Sequence, residues 1–184
     1  MAIFFTADTH FGHESVIKHC KRPFATLDEM NTALLLNWNS RVKNKDDIYI
    51  VGDFCYRGRM DDVLQILKQL NGRKHLIAGN HDKKYLKNEA FRNEFVSVVD
   101  ILNLAVNGER MVLCHYPMAE WDGYFRGAWH IYGHIHNKQG ETFELMRSRK
   151  RGLNAGSDIT NFYPVTFEEL KQYNDIFNTQ ALHD

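Results

Sequence analysis

Apolar residues fall along this chain in short β-type runs that alternate with stretches of helical spacing. Ala2 to Ala7, Asp47 to Val51 and Lys74 to Ala78 read as buried strands. Between them, Met30, Ala33, Leu34, Leu36 and Trp38 recur roughly helically and predict a helix from Asp28 to Val42, with Asp28 as its N-cap after Thr26-Leu27. Val63, Leu64, Ile66, Leu67 and Leu70 predict a second helix over Asp61 to Leu70, stopped by Asn71-Gly72.

The second half changes pattern. Ser97 to Val106 and Arg110 to Cys114 flank Asn107-Gly108, a strong hairpin signal. Trp129 to Tyr132 predicts a further strand. Thr142 to Met146 and Gly152 to Ala155 predict a strand pair separated by the basic run Arg147-Ser148-Arg149-Lys150-Arg151. A closing helix spans Thr166 to Phe177, with Thr166 and Glu169 at capping-box spacing. The reading is a mixed α/β layered domain covering residues 1–184, with no internal repeat.

Composition narrows the class. Lys plus Arg number 23 and Asp plus Glu number 23, so no global pull toward nucleic acid or an anionic membrane is indicated. No stretch approaches the roughly 20 apolar residues of a membrane span. Cys20, Cys55 and Cys114 show no CxxC spacing and cannot all pair, which favours a reducing compartment. The apolar run before Asp8 is too short for a signal peptide, so the expected location is the cytoplasm.

Polar chemistry collects where the strands end. Asp8-Thr9-His10, Gly52-Asp53, Gly79-Asn80-His81-Asp82, Cys114-His115 and Gly133-His134-Ile135-His136 all fall within a few residues of a strand's carboxyl end, where layered α/β folds bind ligands. Each fragment alone is weak, because a D-x-H or a Gly-Asp turn arises readily by chance. Together they offer carboxylates, an amide and imidazoles in the proportions that suit two adjacent divalent cations, and paired cations imply phosphoester chemistry. Asp8 and His10 could turn to one ion, Asp53 could bridge, Asn80 could add a neutral oxygen, and His115, His134 and His136 could complete the shells. His19, His75, His130 and His183 have no tie to the set and read as ordinary structural or surface histidines.

In that order the fragments resemble the motif series of the calcineurin-like metallophosphoesterase superfamily, D-x-H, G-D, G-N-H-D/E, H and G-H-x-H, matched from Asp8 to His136. The opening Asp8-Thr9-His10-Phe11-Gly12-His13, with Arg22-Pro23-Phe24 and Asn37-Trp38-Asn39, is similar to a small single-domain bacterial and phage branch. The resemblance implies a four-layer α/β/β/α sandwich with two mixed sheets. It implies a first metal on Asp8, His10 and His136, a bridging Asp53, and a second metal on Asn80, His115 and His134. It also implies that His81 is a catalytic group that protonates the leaving oxygen, with Asp82 orienting it, while a hydroxide shared by the two cations attacks phosphorus.

Substrate contacts are expected from residues between the motifs. Gly52-Asp53-Phe54-Cys55-Tyr56-Arg57-Gly58 resembles the phosphate-gripping motif of the protein-phosphatase branch, with Tyr56 standing where that branch has an aspartate. Arg57, His13 and Arg22 are the expected substrate-binding residues. The basic run and the aromatic residues Trp121, Tyr124, Phe125 and Trp129 offer a nucleic-acid alternative. The expected function is metal-dependent phosphodiester hydrolysis on a nucleotide or another small diester. The expected cofactors are two divalent ions among manganese, iron, nickel and zinc, with manganese effective in vitro. A phosphomonoesterase, a nuclease and a non-catalytic binding module on the same fold are the alternatives.

Overall fold

A computed structural model describes residues 1–180; His183 lies outside the described residues. Two four-stranded sheets form its centre. β1 (Ile3–Thr6), β2 (Asp47–Ile50), β3 (Arg73–Ile77) and β4 (Ser97–Val99) lie in that order and are all parallel. β5 (Ile101–Val106), β6 (Glu109–Cys114), β7 (Trp129–Tyr132) and β8 (Gly152–Asn154) form the second sheet, in which only the β5–β6 pair is antiparallel. An isolated antiparallel bridge between Phe5 and Val165 borders the first sheet at β1.

Alternation along the strands builds the layers. Phe4, Ile48, Ile50 and Leu76 face outward onto Met30, Leu34 and Trp38 of α2 (Leu27–Arg41) and Val63 and Leu67 of α3 (Met60–Gln69). Their neighbours Phe5, Tyr49, Val51 and Ile77 point the other way, against Met111, Leu113, Ile131 and Leu153 of the second sheet. Val112 and Tyr132 turn to the far side of that sheet and pack with Phe143 and Met146 of α5 (Glu141–Ser148). Helices, sheet, sheet and helix therefore stack as the expected four layers, held by apolar surface removed from water on three successive faces. Two short helices, α1 (Glu14–His19) and α4 (Glu89–Arg92), complete the first half, and α6 (Phe167–Gln180) closes the chain.

Three local expectations change. Thr142 to Met146 is helical rather than extended. Phe143 and Met146 recur at i, i+3 and both bury, and Glu144 pairs with Arg147 across one turn, while Leu145 stays exposed. Ser97 to Val106 is two strands in two different sheets, β4 and β5, broken at Asp100. The α2 cap is Thr26, not Asp28: the Thr26 side chain accepts the Glu29 N–H at 3.1 Å, and Glu29 reaches back to the Ala25 N–H. The hairpin turn is as expected, with Asn107 and Gly108 both at positive φ (51° and 84°), as a type I′ turn requires. Among the described residues no helix is long and apolar enough to cross a membrane.

Candidate metal centre

Every strand that carries a sequence fragment ends at the same edge of the sandwich. β1 leads into Asp8 and His10, β2 into Asp53, β3 into Asn80, β6 into His115, and β7 into His134 and His136. The seven side chains gather in two clusters. Asp8, His10 and His136 present one ligand atom each within 4.8 Å of one another, and Asp53, His115 and His134 do the same. Asp53 stands between the clusters: its Oδ2 lies 3.8 Å from His10 Nε2 and 3.4 Å from His115 Nε2. Asn80 Oδ1 joins the second cluster, 3.2 Å from His115 Nε2 and 3.1 Å from His134 Nδ1.

The backbone is strained where the donors are. Asp8, His10, Asp53 and His136 all adopt φ of 54°, and His134 adopts 73°, in the left-handed region that side-chain-bearing residues rarely occupy. Such conformations cost on the order of 1 kcal/mol or more each and persist where the surroundings over-determine them. Part of that support is close packing. A Cβ at Gly52 (φ +84°) would collide with the His115 ring, and one at Gly79 would collide with the Asp53 carboxylate.

The outer hydrogen bonds aim the imidazoles. His115 Nδ1 donates to the Val51 carbonyl at 2.9 Å, which turns the Nε2 lone pair inward. His136 Nδ1 lies 2.8 Å from the Asp158 carboxylate, so its Nε2 likewise faces Asp8 and His10. His10 Nε2 and His136 Nε2 then approach to 3.2 Å. Two imidazole nitrogens this close, with the carboxylate oxygens of Asp8 and Asp53 within about 4 Å, make a donor set a borderline divalent cation takes. The residues present fit such ions.

Electrostatics carry the same mark. Burial pushes Asp8 up to about 6, against the opposing pull of His136 and His115. Burial by itself lowers His115, but the hydrogen bond and charge of Asp53, with Asp8, carry it up to about 9. His136 is likewise lowered by burial and carried up to about 10 by its bonds to Asp158 and Cys20. His10 falls well below the ordinary range through burial and its imidazole neighbours.

His81 lies beside the ligand set. Its Nε2 is 3.8 Å from Asp53 Oδ2, its ring rests on Tyr56 at 4.1 Å between centroids, and the side chain is 30% exposed. Burial holds its pKa below the usual value, with the Asp53 charge opposing. His13 packs on Tyr56 and lies near His10 and His81, with burial and His81 pushing it down to about 4. Arg57 is exposed at the rim, its guanidinium over the Tyr56 ring.

Two expectations are corrected. Arg22 is not a substrate contact: it is buried, paired in fork geometry with Asp158, and bonded to the Asp8 and Thr9 carbonyls, so no donor remains for a phosphate on the surface. Asp82 does not orient the His81 ring. Its fully buried carboxylate accepts the backbone N–H groups of Asp53, Phe54 and Gly79 at 2.8–2.9 Å. The residues that sequence reasoning left without a role are Asp158, the partner of His136, and Tyr116, which packs against both His115 and His134. Neither sits in a motif, and only adjacence of Tyr116 to His115 in sequence hinted at it. The basic run precedes β8, at the edge opposite the donors, and is engaged locally: Arg147 with Glu144, Arg149 with Tyr124, Arg151 over Trp129. Trp121 is buried with its indole N–H on the Ala128 carbonyl, which removes it as a stacking platform.

A strand-end site of two acids, an amide and imidazoles on a four-layer sandwich defines a metallophosphoesterase. The calcineurin-like phosphoesterase family model matches residues 1–127, and the chain belongs to that family, whose members hydrolyse phosphoesters with divalent metal ions. His134 and His136 lie past the matched span and join the site through the fold. An uncharacterized protein of Methanocaldococcus jannaschii is 33% identical over 167 residues, covering 90% of this chain and 87% of that protein. The gene 66 protein of Mycobacterium phage D29 is 27% identical over 201 residues, covering 95% and 96%. A solved structure of a protein of unknown function from Aquifex aeolicus superposes with a TM-score of 0.73 at 26% identity, covering 92% of this chain and 97% of that one.

Proposed function

We propose that this metallophosphoesterase is a phosphodiesterase with two metal sites, acting on a nucleotide or another small phosphodiester. Asp8, His10 and His136 would hold one cation, Asn80, His115 and His134 the other, with Asp53 shared. Bound cations supply charge neutralisation of the phosphoryl oxygens and activation of water. Manganese is the ion we expect to work in vitro, given the mixed oxygen and nitrogen donors.

The chain's own residues do the rest. Asp53, with Oδ2 facing both clusters and Oδ1 accepting the His81 backbone N–H at 2.9 Å, ties the backbone that carries the proton-transfer group to the metal ligands. Burial disfavours the charged form of His81, against the pull of the Asp53 carboxylate. A phosphate arriving over Nε2 supplies the opposite charge that favours the imidazolium, and Nε2 then carries the proton passed to the leaving oxygen. Tyr56 and His13 pack beside the ring and hold its orientation.

One observation favours a diester over a monoester. Arg22, the guanidinium nearest the ligand loop in sequence, is spent on Asp158, which leaves Arg57 at the rim. A monoester dianion has a second charge, and the guanidinium buried beside the ligand loop is already committed to Asp158, whereas a diester has one charge to neutralise. The three cysteines, all unpaired and buried, support a reducing compartment such as the cytoplasm. The test is a screen of manganese-loaded protein against matched monoesters, diesters, cyclic nucleotides, dinucleotides and single-stranded nucleic acid. Higher kcat/KM for small diesters is expected. Faster turnover of monoesters, or of single-stranded nucleic acid over dinucleotides, would overturn the reading.

A further inference from the structure

Arg22 and Asp158 are separated by 136 positions and meet in the interior, their side chains 0% and 1% exposed. Arg22 Nε and Nη2 reach Asp158 Oδ1 and Oδ2 at 2.8 and 3.0 Å. The other faces of the guanidinium go to the ligand loop: Nη2 donates to the Asp8 carbonyl at 2.6 Å and Nη1 to the Thr9 carbonyl at 2.9 Å. Ser157, next to Asp158, donates its hydroxyl to the same Asp8 carbonyl at 3.0 Å. Asp158 Oδ2 meanwhile holds His136 Nδ1 at 2.8 Å.

All three contacts converge on one cluster. The Asp8 and Thr9 carbonyls belong to the segment in which Asp8 and His10 both sit at φ 54°, and His136 is the third member of the set. The side chains of Asn80, His115 and His134 make no hydrogen bond to either Arg22 or Asp158; His115 is aimed instead by the Val51 carbonyl, and His134 meets the first cluster only through its backbone N–H, which donates to the Asp8 carboxylate at 2.9 Å. A buried ion pair is weak support for stability in general, because desolvation offsets most of its attraction. Here it holds a strained loop and sets the orientation of an imidazole, which is work an apolar pair could not do.

We propose that Arg22 and Asp158 are a positioning pair that builds the Asp8–His10–His136 metal site and bears on the Asn80–His115–His134 site far less, through the shared Asp53 and the Asp8 carboxylate's bond to the His134 backbone N–H. The pair acts through the ligands and touches no substrate. The inference rests on the two-site reading above. Lysine cannot replace Arg22, since a single ammonium cannot grip both Asp158 oxygens and two carbonyls at once.

The test is equilibrium binding of manganese to metal-free protein, by calorimetry with elemental analysis. Wild type is expected to hold two equivalents. Asp158→Asn and Arg22→Lys should weaken one equivalent about 10- to 100-fold, the usual effect of removing a ligand's outer partner, and leave the other within about 3-fold. In a His134→Ala background, where the Asp8 site remains, the same substitutions should weaken the remaining equivalent. If a single substitution fails to fold, the double variant R22M/D158L keeps volume and leaves no lone buried charge; it should show the same split. Two equivalents at wild-type affinity in any folded variant, or equal weakening of both, would overturn the proposal while leaving the two-site reading intact. A single equivalent in wild-type protein would overturn the two-site reading and the selectivity with it.

Discussion

Asp82 accepts the backbone N–H of Asp53 at 2.8 Å, so an acid outside both donor clusters fixes the residue that stands between them. The same oxygen accepts the Gly79 N–H at 2.9 Å and the second oxygen accepts the Phe54 N–H at 2.9 Å. One buried carboxylate thereby joins the turn after β2 to the turn after β3.

Asp82→Asn should destabilise the metal-free protein. An amide offers one acceptor oxygen, so its NH2 must face a buried backbone N–H and leave it unsatisfied. The expected loss is about 1–3 kcal/mol, read by urea denaturation. A variant as stable as wild type would show that these amides find other partners.

Asp53→Asn removes the charge shared by the two clusters. Turnover of bis-p-nitrophenyl phosphate should fall by at least about two orders of magnitude, and metal content should drop below that of wild type. Chelation of the wild type should abolish activity and manganese restore it. Full activity of the variant, or of the chelated enzyme, is the contrary outcome.

His81→Ala should separate proton transfer from metal binding. Its Nε2 stands beside Asp53 but outside both clusters. Metal content should stay at wild type while kcat falls about 10²–10⁴-fold, with the smallest loss on substrates whose leaving groups need no proton. Loss of metal would make His81 a ligand instead.

His130 should make the fold sensitive to acid. It is fully buried, its Nδ1 donates to the Val112 carbonyl, and its Nε2 accepts the Met118 N–H. Burial lowers its pKa to about 4 from 6.5. The unfolded chain therefore binds a proton that the folded chain refuses. Stability is undiminished above pH 6.5 and falls by about 1.4 kcal/mol per unit down to about pH 4, a loss of about 3 kcal/mol. Urea titrations of metal-free wild type and His130→Gln across this range should diverge by that margin. Parallel curves would place the acid sensitivity elsewhere.

Much of the ligand set was readable because its signals are local. A β-type run followed at once by an acid, an amide or a histidine marks a strand end within a few residues; Asp8, Asp53, Asn80, His115, His134 and His136 all carry that mark, and a preceding glycine adds a tight turn at Asp53, Asn80 and His134. The segment Thr142 to Met146 failed for the opposite reason. Five residues of mixed polarity fit either period, and the uncovered face of the second sheet, with Val112 and Tyr132, selects the helix. The break at Asp100 is also nonlocal, because it depends on which sheet each half of the run can pair with.

Residue order alone determined most of the elements, a layered α/β class and the donors that gather at one edge, because hydrophobic period and turn chemistry act over a few positions; the four-layer sandwich came from the family resemblance of the motifs. Tertiary structure decided what Arg22, Asp82 and Asp158 do. An arginine beside a ligand loop looks like a phosphate contact until a carboxylate 136 positions away claims it, and an aspartate beside His81 looks like its partner until three backbone amides from two separate turns claim it first. A charged side chain's role is set by the nearest complementary group in space once water is excluded, and that neighbour is known only when the chain has closed on itself.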